Sequence, residues 1–202
     1  MTRRALIVID VQNEYVSGNL PIDTPPVHQS LREITRAMDA AHTAGMPVVV
    51  VQHTASADAP IFAPGTHGWH LHADIASRPF DHHIEKNLAS AFAGTDLRDW
   101  LARHEIDTLA VVGYMTHNCN ASTIIEAAHA GFKVEFLHDA SGSLPYENRA
   151  GHASAEEIHR VFCVVLQTGF AAVQSTAEWI AALNGGAQQQ SDTVYASNQR
   201  AR

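Results

Sequence analysis

Apolar positions along the chain follow two periods. The runs at 5–9 (ALIVI), 48–51 (VVVV) and 109–112 (LAVV) are apolar throughout and rich in β-branched residues, which predicts strands buried on both faces. Between the first two, Val27, Leu31, Ile34, Met38 and Ala41 recur at helical spacing, and Gly45 closes the predicted helix over 27–44. A strand, a helix and a strand joined by short connections make a βαβ unit, so the pairing is expected to be parallel.

The same alternation continues downstream. A short strand is predicted at 83–86, followed by a helix capped by Thr95 or Asp96 with Leu97, Trp100 and Leu101 on one face. The strand at 109–112 leads through Gly113 and a polar turn into a helix that starts close to Cys119 and runs to about His129. FKVEFL at 132–137 reads as a strand ending at His138 and Asp139. A helix over 153–167 carries Ile158, Phe162 and Val165 inward, with Cys163 in its core. A strand at 169–173 and a helix from Ser175 to about 183 complete the pattern. Six strands alternating with helices predict an α/β fold, a three-layer α/β/α sandwich with a six-stranded, mostly parallel sheet, in one domain over 1–183.

Three stretches break the periodicity. Segment 53–83 contains three prolines and two glycines and is long for a plain connection, while Phe62, Trp69 and Phe80 favour an ordered lid or pocket wall. Segment 141–151 reads as a turn-rich loop. The tail 184–202 is rich in Gly, Gln and Ser, and is expected to be mobile or to dock on a partner subunit.

Composition narrows the partners. The formal charge is −8 and no basic stripe is present, which argues against nucleic acid or an anionic membrane. No apolar run approaches a membrane span, and the opening MTRRALIVIDVQNEY is interrupted by Asp10 and lacks a cleavage site, so a cytoplasmic protein is expected. Two cysteines make no disulfide framework. The fourteen histidines are scattered; even the group at His67, His70, His72, His82 and His83 has no zinc-site spacing, and no metal is expected.

Three polar residues fall at or just past strand ends: Asp10, Lys86 and Cys119. In open α/β sheets the carboxyl ends of the strands line one edge, where ligands bind. Each residue alone has an ordinary explanation: a turn cap, a surface lysine, a buried thiol. Together they form a candidate nucleophile with a base and a cation. A cysteine in the first turn of a helix faces unpaired N–H groups and the positive end of the dipole, which favour thiolate and can hold an oxyanion.

Set side by side, these positions resemble the isochorismatase-like cysteine hydrolases, a family that includes nicotinamidases, N-carbamoylsarcosine amidases and streptothricin hydrolases. The matching stretches are LIVIDVQNEY around Asp10, EKNLASAF around Lys86 with Phe92 six residues on, GTDLRDWL, and VVGYMTHNCNASTIIEAAHAGFKVEFLHDA around Cys119, covering about 4–180. The resemblance implies Cys119 as nucleophile, Asp10 as base and Lys86 as the cation between them. It also implies a cis peptide between Tyr114 and Met115, and an oxyanion hole made by the N–H groups of Met115 and Cys119. Nicotinamidases carry an Asp-x-His after the second strand where this chain has Gln52-His53-Thr54, so no catalytic metal or other cofactor is expected. The presence of Cys119 points to a C–N bond of a small molecule; alternatives are vinyl-ether hydrolysis of an isochorismate-like compound and a thiol-sensing role without catalysis. Pocket candidates are Tyr15, His53, Phe62, Trp69 and Tyr114, and a homo-oligomer, a dimer or tetramer, is expected.

Overall fold

The computed structural model describes residues 2–202. In chain order its elements are β1 (Arg4–Ile9), α1 (Val27–Thr43), β2 (Val48–His53), α2 (Ala73–Ala76), β3 (His82–Lys86), α3 (Leu97–Arg103) and β4 (Thr108–Tyr114). A π-helical turn, Thr116–Asn120, then leads into α4 (Ala121–His129), β5 (Lys133–Gly142), β6 (Tyr146–Asn148) and β7 (Gly151–Ala153). The chain closes with α5 (Ala155–Gln167), β8 (Ala172–Gln174), α6 (Thr176–Leu183) and α7 (Val194–Arg200). Six strands pair in the order β3-β2-β1-β4-β5-β8, all parallel. The expected sandwich is therefore present, with a fully parallel sheet. None of the described helices is long and apolar enough to cross a membrane.

Strand periodicity explains the two cores. Successive side chains of β1 point to opposite faces: Leu6 and Val8 pack with Ile34 and Met38 of α1 and Trp179 of α6, while Ile7 and Ile9 pack with Leu97, Trp100, Leu101 and Ile124 of α3 and α4. All eleven are inaccessible or nearly so. A sheet covered by helices on both faces needs apolar residues at every strand position, and that is the pattern the sequence carries.

Strand order reverses between β1 and β4: the chain adds β2 and β3 on one side, then β4, β5 and β8 on the other. That reversal leaves a crevice at the carboxyl ends of the two central strands. Gly113 makes the close approach possible there. It has φ +105°, and a Cβ on it would lie 2.0 Å from the Ile9 carbonyl oxygen. Gly113→Ala should therefore cost about 3 kcal/mol or more of unfolding free energy; a urea midpoint unchanged from wild type would contradict this reading.

Several expectations are corrected. β5 continues through His138 and Asp139 to Gly142, with a register shift against β4. Its polar residues are not a strand end: Asp139 Oδ1 accepts from the Thr176 N–H and hydroxyl, each at 2.8 Å, and so fixes the start of α6. The expected loop at 141–151 contains the β6–β7 antiparallel hairpin. In α5 the inward face is Ala155, His159 and Leu166, whereas Val161, Val164 and Val165 are exposed and Cys163 is only half-buried. Helical spacing alone does not say which of two overlapping apolar stripes turns inward. Segment 53–83, by contrast, is the ordered wall that its aromatic residues led one to expect, with Phe62 and Ile75 buried and Gln12 Nε2 donating to the carbonyls of His53 and Trp69. In the tail, Arg4 donates to Gln188 and Gln167 to the Gln190 carbonyl, and α7 follows.

Candidate active site

Register brings the three polar residues together. Ile9 is level with Val51 and Gly113, and His53 with Lys86, so Asp10 and the turn after β4 emerge at one edge. Lys86 lies two strands from β1; neighbouring strands are about 4.8 Å apart, so only a long side chain can span β2 from there. It does so. Nζ of Lys86 forms an ion pair with Asp10 Oδ2 at 2.7 Å, and it donates to Cys119 Sγ at 3.3 Å and to the Leu88 carbonyl at 3.1 Å. Asp10 is inaccessible, and Lys86 and Cys119 are 3 % and 4 % exposed.

Asp10 has φ +51°, in the left-handed region that most non-glycine residues avoid and aspartate tolerates. Its carboxylate is held by the Lys86 ammonium on one side and lies beside the Cys119 thiol on the other. A buried carboxylate paired to an ammonium and with lone pairs left beside a thiol is placed to accept a proton from it.

The electrostatics differ from the expectation that Lys86 and the helix terminus favour thiolate. Burial, and then the Asp10 charge, push the Cys119 thiol up to about 12, and the opposing pull of Lys86 does not offset them. The resting site therefore favours the thiol over the thiolate. Burial alone would lower the pKa of Lys86, but Asp10 and Cys119 beside it raise it, so the ammonium keeps its charge. His53 Nδ1 is 3.5 Å from Lys86 Nζ. Burial and the lysine charge lower the His53 pKa. An ammonium cannot accept, so Nδ1 faces it with its lone pair and Nε2 carries the proton.

The expected pocket residues separate into two groups. Tyr15 and Phe62 pack with ring centroids 5.2 Å apart, and Phe62 lies 5.3 Å from His53, which places this cluster beside the triad. The pKa of Tyr15 is raised by burial and then by Cys119 and Asp10, consistent with that position. Tyr114 is inaccessible and its hydroxyl bonds to Ser30 of α1 at 2.8 Å, so it belongs to the core. Trp69 is half-buried, with Nε1 donating to Thr54. The peptide between Tyr114 and Met115 is cis.

Two neighbours were not read from the sequence. Tyr146, on the β6–β7 hairpin, has its pKa raised by burial and by Cys119, and its hydroxyl lies 3.0 Å from His117 Nε2 and 4.0 Å from Met115 Sδ. His117 Nδ1 in turn is 3.1 Å from Ser143 Oγ. Three-residue strands carry no measurable periodicity, and His117 is one histidine among fourteen; its place two residues before Cys119 was the available signal. Among the described residues no group of three His, Cys, Asp or Glu side chains converges to hold a metal ion.

Comparison with known proteins gives the family of the chain. The isochorismatase domain model matches residues 4–178. The crystal structure of an isochorismatase-type protein from Burkholderia xenovorans LB400 superposes with a TM-score of 0.98 at 64 % identity, covering 100 % of this chain and 97 % of that one. A streptothricin hydrolase of Streptomyces noursei is 36 % identical over 138 residues, 68 % of this chain and 49 % of that protein, and a nicotinamidase of Arabidopsis thaliana is 28 % identical over 180 residues, 83 % of this chain and 82 % of its own. With the family model matched over residues 4–178 and its parallel sheet superposed over this length, the chain belongs to the isochorismatase family of hydrolases.

Proposed function

We propose that this hydrolase cleaves a C–N bond in a small amide, lactam or ureido compound through a thioester on Cys119. The observation that carries the reading is the Lys86 ammonium held between the Asp10 carboxylate at 2.7 Å and the Cys119 sulfur at 3.3 Å, all three buried at the strand-order reversal. Relatives named streptothricin hydrolase and nicotinamidase support amide chemistry.

The steps follow from the resting charges. Asp10 takes the Cys119 proton as sulfur attacks the carbonyl carbon, and the carbonyl π electrons move to oxygen. The N–H groups of Met115 and Cys119 receive that oxyanion. Collapse re-forms the carbonyl and breaks the C–N bond, and the Asp10 proton goes to the departing nitrogen. Asp10 then takes a proton from water as the water attacks the thioester. Expulsion of sulfur, with return of that proton, regenerates the thiol. Lys86 stays cationic throughout and keeps the carboxylate and sulfur in register. Tyr15, Phe62 and His53 form an aromatic wall with a neutral donor, suited to a planar, uncharged group.

The test is release of ammonia or amine from nicotinamide, benzamide, streptothricin and an N-carbamoyl amino acid, run beside release of pyruvate from isochorismate. Nitrogen release from at least one amide is expected. Turnover of isochorismate with none of the amides would overturn the reading in favour of vinyl-ether hydrolysis.

A further inference from the structure

A buried polar chain links the turn that carries Cys119 to α5 on the outside of the sandwich. Asn120, inaccessible to solvent, donates from Nδ2 to the Gly113 carbonyl and to Ser141 Oγ, each at 2.8 Å. Ser141 Oγ lies 2.7 Å from Thr116 Oγ1, and Thr116 Oγ1 lies 2.8 Å from His159 Nδ1. Ser141 and Thr116 are also inaccessible, and His159 is 8 % exposed. The turn from Thr116 to Asn120 is thus tied at its first residue to α5 and at its last to the ends of β4 and β5.

Donor bookkeeping fixes the direction of the chain. An amide nitrogen only donates, so Ser141 Oγ accepts from Asn120 and its own proton goes to Thr116; the Thr116 proton then goes to His159 Nδ1. The reverse direction strands the Ser141 proton in a buried site, which is costly. His159 must therefore be neutral with its proton on Nε2, which lies 3.8 Å from Cys163 Sγ. Burial, with the nearby His138 and His117 charges, agrees by holding the His159 pKa down at about 4 against the opposing pull of a hydrogen bond to the His138 backbone.

We propose that His159 is a positioning residue for the nucleophile: as the terminal acceptor of the chain from Asn120 through Ser141 and Thr116, it fixes the turn that aims Cys119 and the N–H groups around it. It touches neither substrate nor the triad. The proposal rests on Cys119 as the nucleophile, and it explains a polar residue, Asn120, directly after the cysteine.

The experiment compares wild type with His159→Leu, which removes the acceptor, and His159→Asn, whose Oδ1 can occupy the place of Nδ1. The first readout is the rate of Cys119 alkylation by iodoacetamide, followed by peptide mass spectrometry; the second is kcat and KM on the fastest amide of the panel above. Leu is expected to slow alkylation and kcat about tenfold with KM little changed, and Asn to recover most of the loss. Should His159→Leu fail to fold, Thr116→Val removes the adjoining hydroxyl at nearly constant volume and is expected to give the same loss. Rates within about twofold of wild type in the Leu or Val variant, or equal loss in Leu and Asn, would overturn the proposal. Turnover retained in Cys119→Ala would instead overturn the nucleophile reading, and alkylation would still report on His159 by itself.

Discussion

Cys119→Ala is expected to lower turnover of the best amide substrate by at least about 10⁴-fold, because nothing else at the strand-end edge replaces the sulfur as electron-pair donor to the carbonyl. The fold should be preserved. Cys119 is small, and the Asp10–Lys86 ion pair, the Gly113 contact with Ile9 and the Asn120 bonds to Gly113 and Ser141 do not involve its sulfur. Circular dichroism and the urea midpoint check this: a midpoint shift worth more than about 2 kcal/mol would mean that the sulfur also holds the site together. Activity within tenfold of wild type would remove Cys119 from the chemistry.

Lys86→Met is expected to damage both stability and turnover, and for one reason. Methionine keeps most of the apolar stem that spans β2 but removes the ammonium, which leaves the inaccessible Asp10 carboxylate without a counter-charge. Breaking a buried pair from one side costs about 3–5 kcal/mol. Turnover should fall about 10³-fold or more, since Asp10 then relieves its burial by taking a proton from solvent and is no longer a base. The double variant Asp10→Asn, Lys86→Met separates the two effects. It should recover a large part of the lost stability, because no unpaired charge remains, and none of the turnover. A double variant as unstable as Lys86→Met would show that the pair matters through packing and not through charge.

Much of this was legible in the residues, for reasons that differ by element. Strands buried on both faces announce themselves as unbroken β-branched runs, so β1, β2 and β4 were readable, and parallel pairing followed from the helices between them. Asp10, Lys86 and Cys119 could be brought together because strand ends in such a sheet share an edge, and the register then does the rest. What stayed hidden depends on contacts between distant segments. The hairpin strands are too short to show a period, and the continuation of β5 past His138 and Asp139 relies on Thr176, far along the chain. The inward face of α5 carries a polar residue, His159, that meets Thr116 beside the apolar contacts of Leu166 and Phe162, which no helical repeat encodes. The electrostatics of Cys119 were legible only in part: the helix terminus and the lysine, which favour thiolate, are visible in sequence, whereas burial beside the Asp10 carboxylate, which pushes the other way, is a property of the folded site. Tyr114 illustrates the same limit, lying at the right strand end with its ring turned into the core toward Ser30.

The most direct measurement is the mass of the enzyme during turnover. Acid quenching within the first catalytic cycles, followed by intact-protein and peptide mass spectrometry, is predicted to reveal wild-type protein heavier by the acyl part of the amide. The added mass should map to the peptide containing Cys119, be removed by hydroxylamine as a thioester is, and be missing from Cys119→Ala. Rapid turnover of the same amide by Cys119→Ala, or a wild-type adduct on any residue other than Cys119, would contradict the account.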